Sequence, residues 1–133
     1  MRRLISILLI LTLIPLASAI EVIEETTKTY SIPNINGADI SIVRSNYDPL
    51  PAEPGKYVDI WITVQNYGSN EVKNSYLKLN PEYPFYLTGK DTGVEYIKTL
   101  QPGGLKILEY RLLVDEQAIG SEYPLELKFC QDE

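Results

Sequence analysis

The sequence predicts an all-β chain, an antiparallel β-sandwich behind a short apolar leader. Three observations lead there. From residue 38 onward, apolar residues recur at every second position in short runs, the period of a strand with one buried face. Gly, Pro and Asn clusters divide these runs at regular intervals. No segment after the leader carries a long 3.6-residue apolar period of the kind an amphipathic helix needs.

The leader comes first. Arg2 and Arg3 precede an apolar run over 4–16 that is broken only by Ser6, Thr12 and Pro15, and Ala17-Ser18-Ala19 follows. A basic start, an apolar stretch of about 7–15 residues and a small-x-small site describe a signal helix removed after Ala19. An uncleaved anchor would need about 20 apolar residues. No Cys follows Ala19 to carry a lipid. The expectation is an exported chain, in the envelope or outside the cell. Its membrane contact is through the signal segment alone, where that segment is retained.

Removal of 1–19 leaves 114 residues, enough for one domain with its own core. The two leader arginines go with it, leaving ten basic and eighteen acidic side chains and a formal charge of −8. That balance argues against nucleic acid, whose phosphates call for clustered Lys and Arg. It argues equally against electrostatic docking on an anionic bilayer.

The elements follow in order. Residues 20–37 (IEVIEETTKTYSIPNING) are polar and turn-rich, a spacer or a first edge strand. Residues 38–45 (ADISIVRS) alternate, with Ile40 and Ile42 on one face. Pro49, Pro51 and Pro54 then stiffen the chain and remove backbone donors, so 48–54 reads as an extended connector without regular pairing. Pro54-Gly55 makes a turn. From Tyr57 the alternation is clearest: Val58, Ile60, Ile62 and Val64 on one side, Tyr57, Asp59, Trp61 and Thr63 on the other. Residues 66–70 (NYGSN) close that strand with turn chemistry. Further strands are expected over 71–79, with Leu77 and Leu79 inward, over 83–87 at an edge because of Pro84, and over 94–100. The turn QPGG leads into 105–114, where Leu108, Tyr110, Leu112 and Val114 share a face. Residues 115–120 are read as one helical turn, and 123–129 (YPLELKF) alternate strictly. Strands of this number and spacing fit an Ig-like sandwich over 38–133.

The order P-x-E-P-G-x-Y-V-D-I-W-I-T-V-Q-N-Y-G, then N-P-E-Y-P-F, L-Q-P-G-G and V-D-E-Q-A-I-G-S-E-Y-P-L, resembles exported archaeal S-layer-domain-like proteins. It is similar, more distantly, to CARDB-type Ig-like modules associated with adhesion and sugar hydrolysis. The resemblance covers 48–129. It implies an extracellular β-sandwich serving as a structural or interaction module of the cell envelope, and it brings no catalytic residues with it. Such relatives commonly continue into further domains or a membrane segment. This chain stops at 130–133 (CQDE), directly after a strand, and the expectation is a fragment whose sandwich domain continues in sequence beyond it.

Catalytic chemistry is sparse. There is no histidine, hence no usual general base and no ordinary triad. There is no nucleophile elbow, phosphate-binding loop or dinucleotide fingerprint. The expectation is a non-enzyme without cofactor. Asp115-Glu116 and 131–133 lack the dense ligand spacing of a calcium loop, so no metal is expected. No N-x-[ST] sequon occurs.

Two features remain. Tyr57 and Trp61 lie on the polar face of the best strand, where exposed aromatics beside Asp and Asn suit protein or sugar binding. The blander reading is that Trp61 lies under a loop. Cys130 is the only cysteine, which in an exported chain means an intermolecular disulfide, a reactive thiol or a partner in missing sequence. Its blander reading is a small residue at a strand end, and alternation puts it on the outer face, opposite in sense to Phe129. The abrupt end favours the missing partner. The function expected is an envelope module acting through contacts with other envelope proteins or with further domains of a longer chain. The alternative is a glycan- or peptide-binding ectodomain accessory to an envelope transport system, with Tyr57 and Trp61 making the contacts.

Overall fold

A computed structural model describes residues 5–12, 30–31 and 39–131. Among these residues nine strands are described: β1 (Ile5–Thr12), β2 (Tyr30–Ser31), β3 (Ile40–Asp48), β4 (Tyr57–Asn66), β5 (Val72–Asn80), β6 (Phe85–Tyr86), β7 (Val94–Leu100), β8 (Leu105–Val114) and β9 (Glu122–Gln131). They form two antiparallel sheets, of order β1-β9-β5-β7 and β2-β3-β4-β8-β6.

Alternation explains the layering. Val58, Ile60, Ile62 and Val64 of β4 are buried, as are Leu108, Tyr110, Leu112 and Val114 of β8. Leu77, Leu79, Leu125, Leu127 and Phe129 face them from the other sheet, in one apolar cluster. Burying that many branched aliphatic side chains, at about 1.5–3 kcal/mol each, is the main stabilising term. Tyr110 stitches the layers together: its buried hydroxyl donates to the Leu77 carbonyl at 3.1 Å.

The strands expected from the sequence are present with small boundary shifts, and two local readings are corrected. Residues 115–120 form a non-helical turn, closed by the Ala118 amide on the Asp115 carbonyl at 3.1 Å. The first predicted strand runs on to Asp48, because the register shifts between Ile42 and Arg44. Such a bulge inverts the alternation beyond it, so Tyr47 stands opposite Ile60 and packs on the core.

Within the leader, Ile5–Thr12 is described as a strand paired antiparallel with β9 from Ile5↔Phe129 to Thr12↔Glu122, and the rest of the predicted signal segment lies outside the described residues. A short aliphatic run fits a helix or a buried strand equally well by pattern, and here the edge of β9 pairs its backbone. The predicted cleavage site and most of the 20–37 segment lie outside the described residues; Tyr30–Ser31 pairs with β3 at Ile42 and Ser41.

The proline connector is folded back onto the sandwich. It makes no regular pairing of its own, yet Ala52 is buried in the core cluster. Gly55 takes a φ of +75°, which a glycine adopts without strain, and its amide donates to the Val114 carbonyl at 3.0 Å. The connector is thereby fastened to the end of β8.

Candidate functional site

The outer face of the five-stranded sheet collects the aromatic residues that the sequence singles out. Tyr57, Asp59, Trp61 and Thr63 of β4 alternate with core residues and so point outward. On one flank, register places Asp48 beside Asp59, Asn46 beside Trp61 and Arg44 beside Thr63. On the other, Arg111 stands beside Asp59, Glu109 beside Trp61 and Ile107 beside Thr63. Tyr57 is 49% exposed, Leu105 60% and Ile107 65%, so large apolar groups stand open to water at both ends of the row. Trp61 is half-buried among its neighbours.

One end of this face is held rigidly. The Arg111 guanidinium grips Asp59 side-on, Nε to Oδ1 at 2.8 Å and Nη2 to Oδ2 at 3.1 Å. The same guanidinium lies over the Tyr57 ring, 5.4 Å from its centre. A bidentate ion pair with a stacked ring fixes all three groups in one arrangement. Beside it, Asp59, Asp91, Glu95, Ile107, Glu109 and Arg111 line an open depression of about 550 Å³. Arg111 is already matched by Asp59, so Asp91, Glu95 and Glu109 leave the hollow negative.

A second, smaller hollow lies on the other sheet, where β5 and β7 are irregular. Asn74 and Lys98 both have positive φ, 49° and 58°, at shifts of the β5–β7 register. The Ser75 hydroxyl there is buried with no hydrogen-bond partner. Among the described residues, no group of three or more carboxylate, cysteine or histidine side chains converges as metal ligands would.

Cys130 sits on β9 opposite Tyr76, on the outer face of the four-stranded sheet, partly exposed and as a free thiol. The structure therefore brings Tyr57 and Trp61 onto one surface and leaves Cys130 on the opposite side of the molecule.

Several residues that matter were not separable from ordinary turn residues in the sequence. Asn66 is fully buried, and its side chain donates to the Asn70 and Leu100 carbonyls at 2.8 and 3.0 Å and accepts from the Gly68 amide at 2.9 Å. Its backbone bonds Gly103 and Gly104 at 2.7 and 3.1 Å, fastening the QPGG turn to the NYG turn. The two turn motifs that carry the resemblance are thus one structural knot. At the start of β9, the Tyr123 hydroxyl donates back to the Ile119 carbonyl at 2.9 Å.

Two curated proteins of Methanocaldococcus jannaschii, both named uncharacterized, are similar to this chain. MJ1506 is 36% identical over 97 residues, covering 71% of this chain and 22% of that protein. MJ1561 is 37% identical over 90 residues, covering 65% and 16%. The chain thus spans about a fifth of the length of the curated relatives it matches. No family model matches it, and no solved structure does.

Proposed function

We propose that this chain is an exported Ig-like module of an archaeal cell envelope, S-layer-like in kind, acting without turnover through protein–protein contacts. The strand order supports the Ig-like reading. β3-β4-β8-β6 follows the order A-B-E-D, and β5 and β9 occupy the C and F positions of the opposite sheet. The Tyr123–Ile119 hydrogen bond has the form of the tyrosine corner, which marks the approach to strand F. β7 departs from the constant-type pattern: it flanks β5 where the variable type adds C′, yet it follows β6 in the chain.

The observation that carries the function is the outer face of the five-stranded sheet. It is a broad sheet surface, with Tyr57, Trp61, Leu105 and Ile107 set among charges. An aromatic and aliphatic patch rimmed by charge suits a protein partner. The test is photo-crosslinking in native envelopes. A photoreactive residue at Ile107 gives a discrete protein adduct, and the same residue at Lys78, on the other sheet, gives none. Adducts of equal yield from both positions would remove this reading. Saturable glycan binding abolished by Trp61→Ala, with no protein adduct, would transfer the face to the glycan-binding alternative.

A further inference from the structure

We propose that the end of the sandwich where residues 81–86 meet the turn 115–120 is a docking site for a cationic segment of a partner protein, one that lays Lys or Arg side chains on exposed tyrosine rings. The site is separate from the outer face of the five-stranded sheet, so it stands or falls independently of the function proposed for that face.

The first observation is a set of apolar groups held open to water by a fixed frame. Tyr83, Tyr86 and Ile119 stand exposed here. The Tyr83 hydroxyl donates to the Gln117 carbonyl at 3.4 Å, and the Tyr86 hydroxyl to Asp115 Oδ2 at 3.1 Å. The Gln117 amide donates to Asp115 Oδ1 at 2.8 Å, and the Asp115 amide to the Pro84 carbonyl at 2.8 Å. Tyr123 ties in Ile119: its hydroxyl donates to the Ile119 carbonyl, and its ring meets that of Tyr83 edge-on, 6.2 Å between centres. The two loops are thereby one surface arranged before any partner arrives, which lowers the cost of binding.

The second observation is charge. Segments 48–56, 81–86 and 115–122 close this end, and the Gly55 amide on the Val114 carbonyl brings the first beside the third. They carry Asp48, Glu53, Glu82, Asp115, Glu116 and Glu122 against one base, Lys56, whose ammonium Glu53 holds at 2.6 Å. The two hydrogen bonds to Asp115 come from neutral donors, so they leave its charge in place. A cation on a tyrosine face beside carboxylates gains from the ring and from the field together.

The third observation is that the chain's own sequence suits this site poorly. β3 starts at the opposite end, Ile40 facing Asn66, and β9 finishes there, Gln131 facing Ser75. The ten residues of β9 put roughly 30 Å between the two ends. β1 does finish near the site, Thr12 facing Glu122. The sequence after it has the wrong sign, however: 13–38 carries Glu21, Glu24 and Glu25 against Lys28, and Asp132 and Glu133 are acidic too. A second copy docked end to end would set like charges against each other.

The experiment titrates the purified, nitrogen-15-labelled chain with a short synthetic peptide of alternating Arg and Gly, and with the same peptide carrying Glu for Arg. The arginine peptide shifts amide resonances within 81–86 and 115–122 saturably, with a Kd at or below about a millimolar; the glutamate peptide shifts none. Tyr83→Leu with Tyr86→Leu, which keeps the net charge, weakens binding roughly tenfold. Tyr67→Leu, at the opposite end, leaves it unchanged. Shifts centred instead on Asp91, Glu95 and Glu109, equal affinity of the double variant, or an equal response to the glutamate peptide overturns the proposal. Should the double variant not fold, Ile119→Ser replaces it, with weakened binding expected and unchanged binding overturning. In the native protein, a photoreactive residue at Ile119 joins a different protein, and the arginine peptide suppresses that product. A product within the chain itself or with a second copy overturns the inference and gives this end to the chain's own sequence.

Discussion

Asn66 shows how much one buried amide can organise. It satisfies the Gly68 amide and the Asn70 and Leu100 carbonyls, and its bond to Leu100 is buried. Asn66→Ala leaves the buried Leu100 carbonyl without this partner and lowers stability by about 2 kcal/mol, within the range of about 1–3 kcal/mol for an orphaned buried group. Thermal unfolding of the variant checks this. Ser75 is the opposite case, since its buried hydroxyl has no partner to lose. Ser75→Ala removes an unsatisfied group and raises stability by about 1 kcal/mol, measurable in the same experiment. The sequence made Asn66 legible only as a turn residue. Its bond to Leu100 joins positions far apart in the chain, and no local pattern announces such a pairing. Tyr123 was hidden for a different reason: its hydroxyl bond depends on a corner geometry that appears only once β9 is placed in its sheet.

At the scale of the element, the period-two pattern was a sufficient guide. β4 and β8 face the core with the residues that alternation assigns them, because slipping either strand by one residue would expose its four core side chains. Where pattern reading failed, the cause was a backbone irregularity. The bulge at Val43 inverts the phase of β3, and no residue type in RS announces it. The two faces of the β4–β8 pair should respond differently to substitution. Ile62→Ala, in the core, costs about 3 kcal/mol by cavity formation. Ile107→Glu, on the open outer face, changes stability by less than about 0.5 kcal/mol and still reduces capture of an envelope partner. Denaturant unfolding of both variants, alongside the crosslinking yield, separates a packing residue from a docking residue.

For the whole molecule, the two sheets are joined by packing and by the Tyr110–Leu77 hydrogen bond through the middle. Burial pushes the Tyr110 phenol far above its ordinary value, with smaller contributions from Glu95 and Asp91. A group whose folded pKa is raised holds its proton in the fold while the unfolded chain gives it up. The associated stability is therefore complete below about pH 10, the ordinary tyrosine value, and falls as pH rises beyond it. Unfolding followed from pH 8 upward should show that decline, and Tyr110→Phe should reduce its slope while lowering stability at neutral pH.

Composition, the leader and the strand pattern told of an acidic β-chain and of the aromatic row at Tyr57 and Trp61. They could not tell that Leu105 and Ile107 extend that row, because cross-strand neighbours are set by register between β4 and β8. Nor could they place Cys130 on the far side of the sandwich from it.

The proposed export to the envelope underlies the functional reading, and it is tested most directly by the intact mass of the native protein recovered from its own envelope fraction. The account predicts a species that begins at Ile20, is found with the envelope and lacks residues 1–19. A species retaining Met1 and recovered with the cytosol would contradict it.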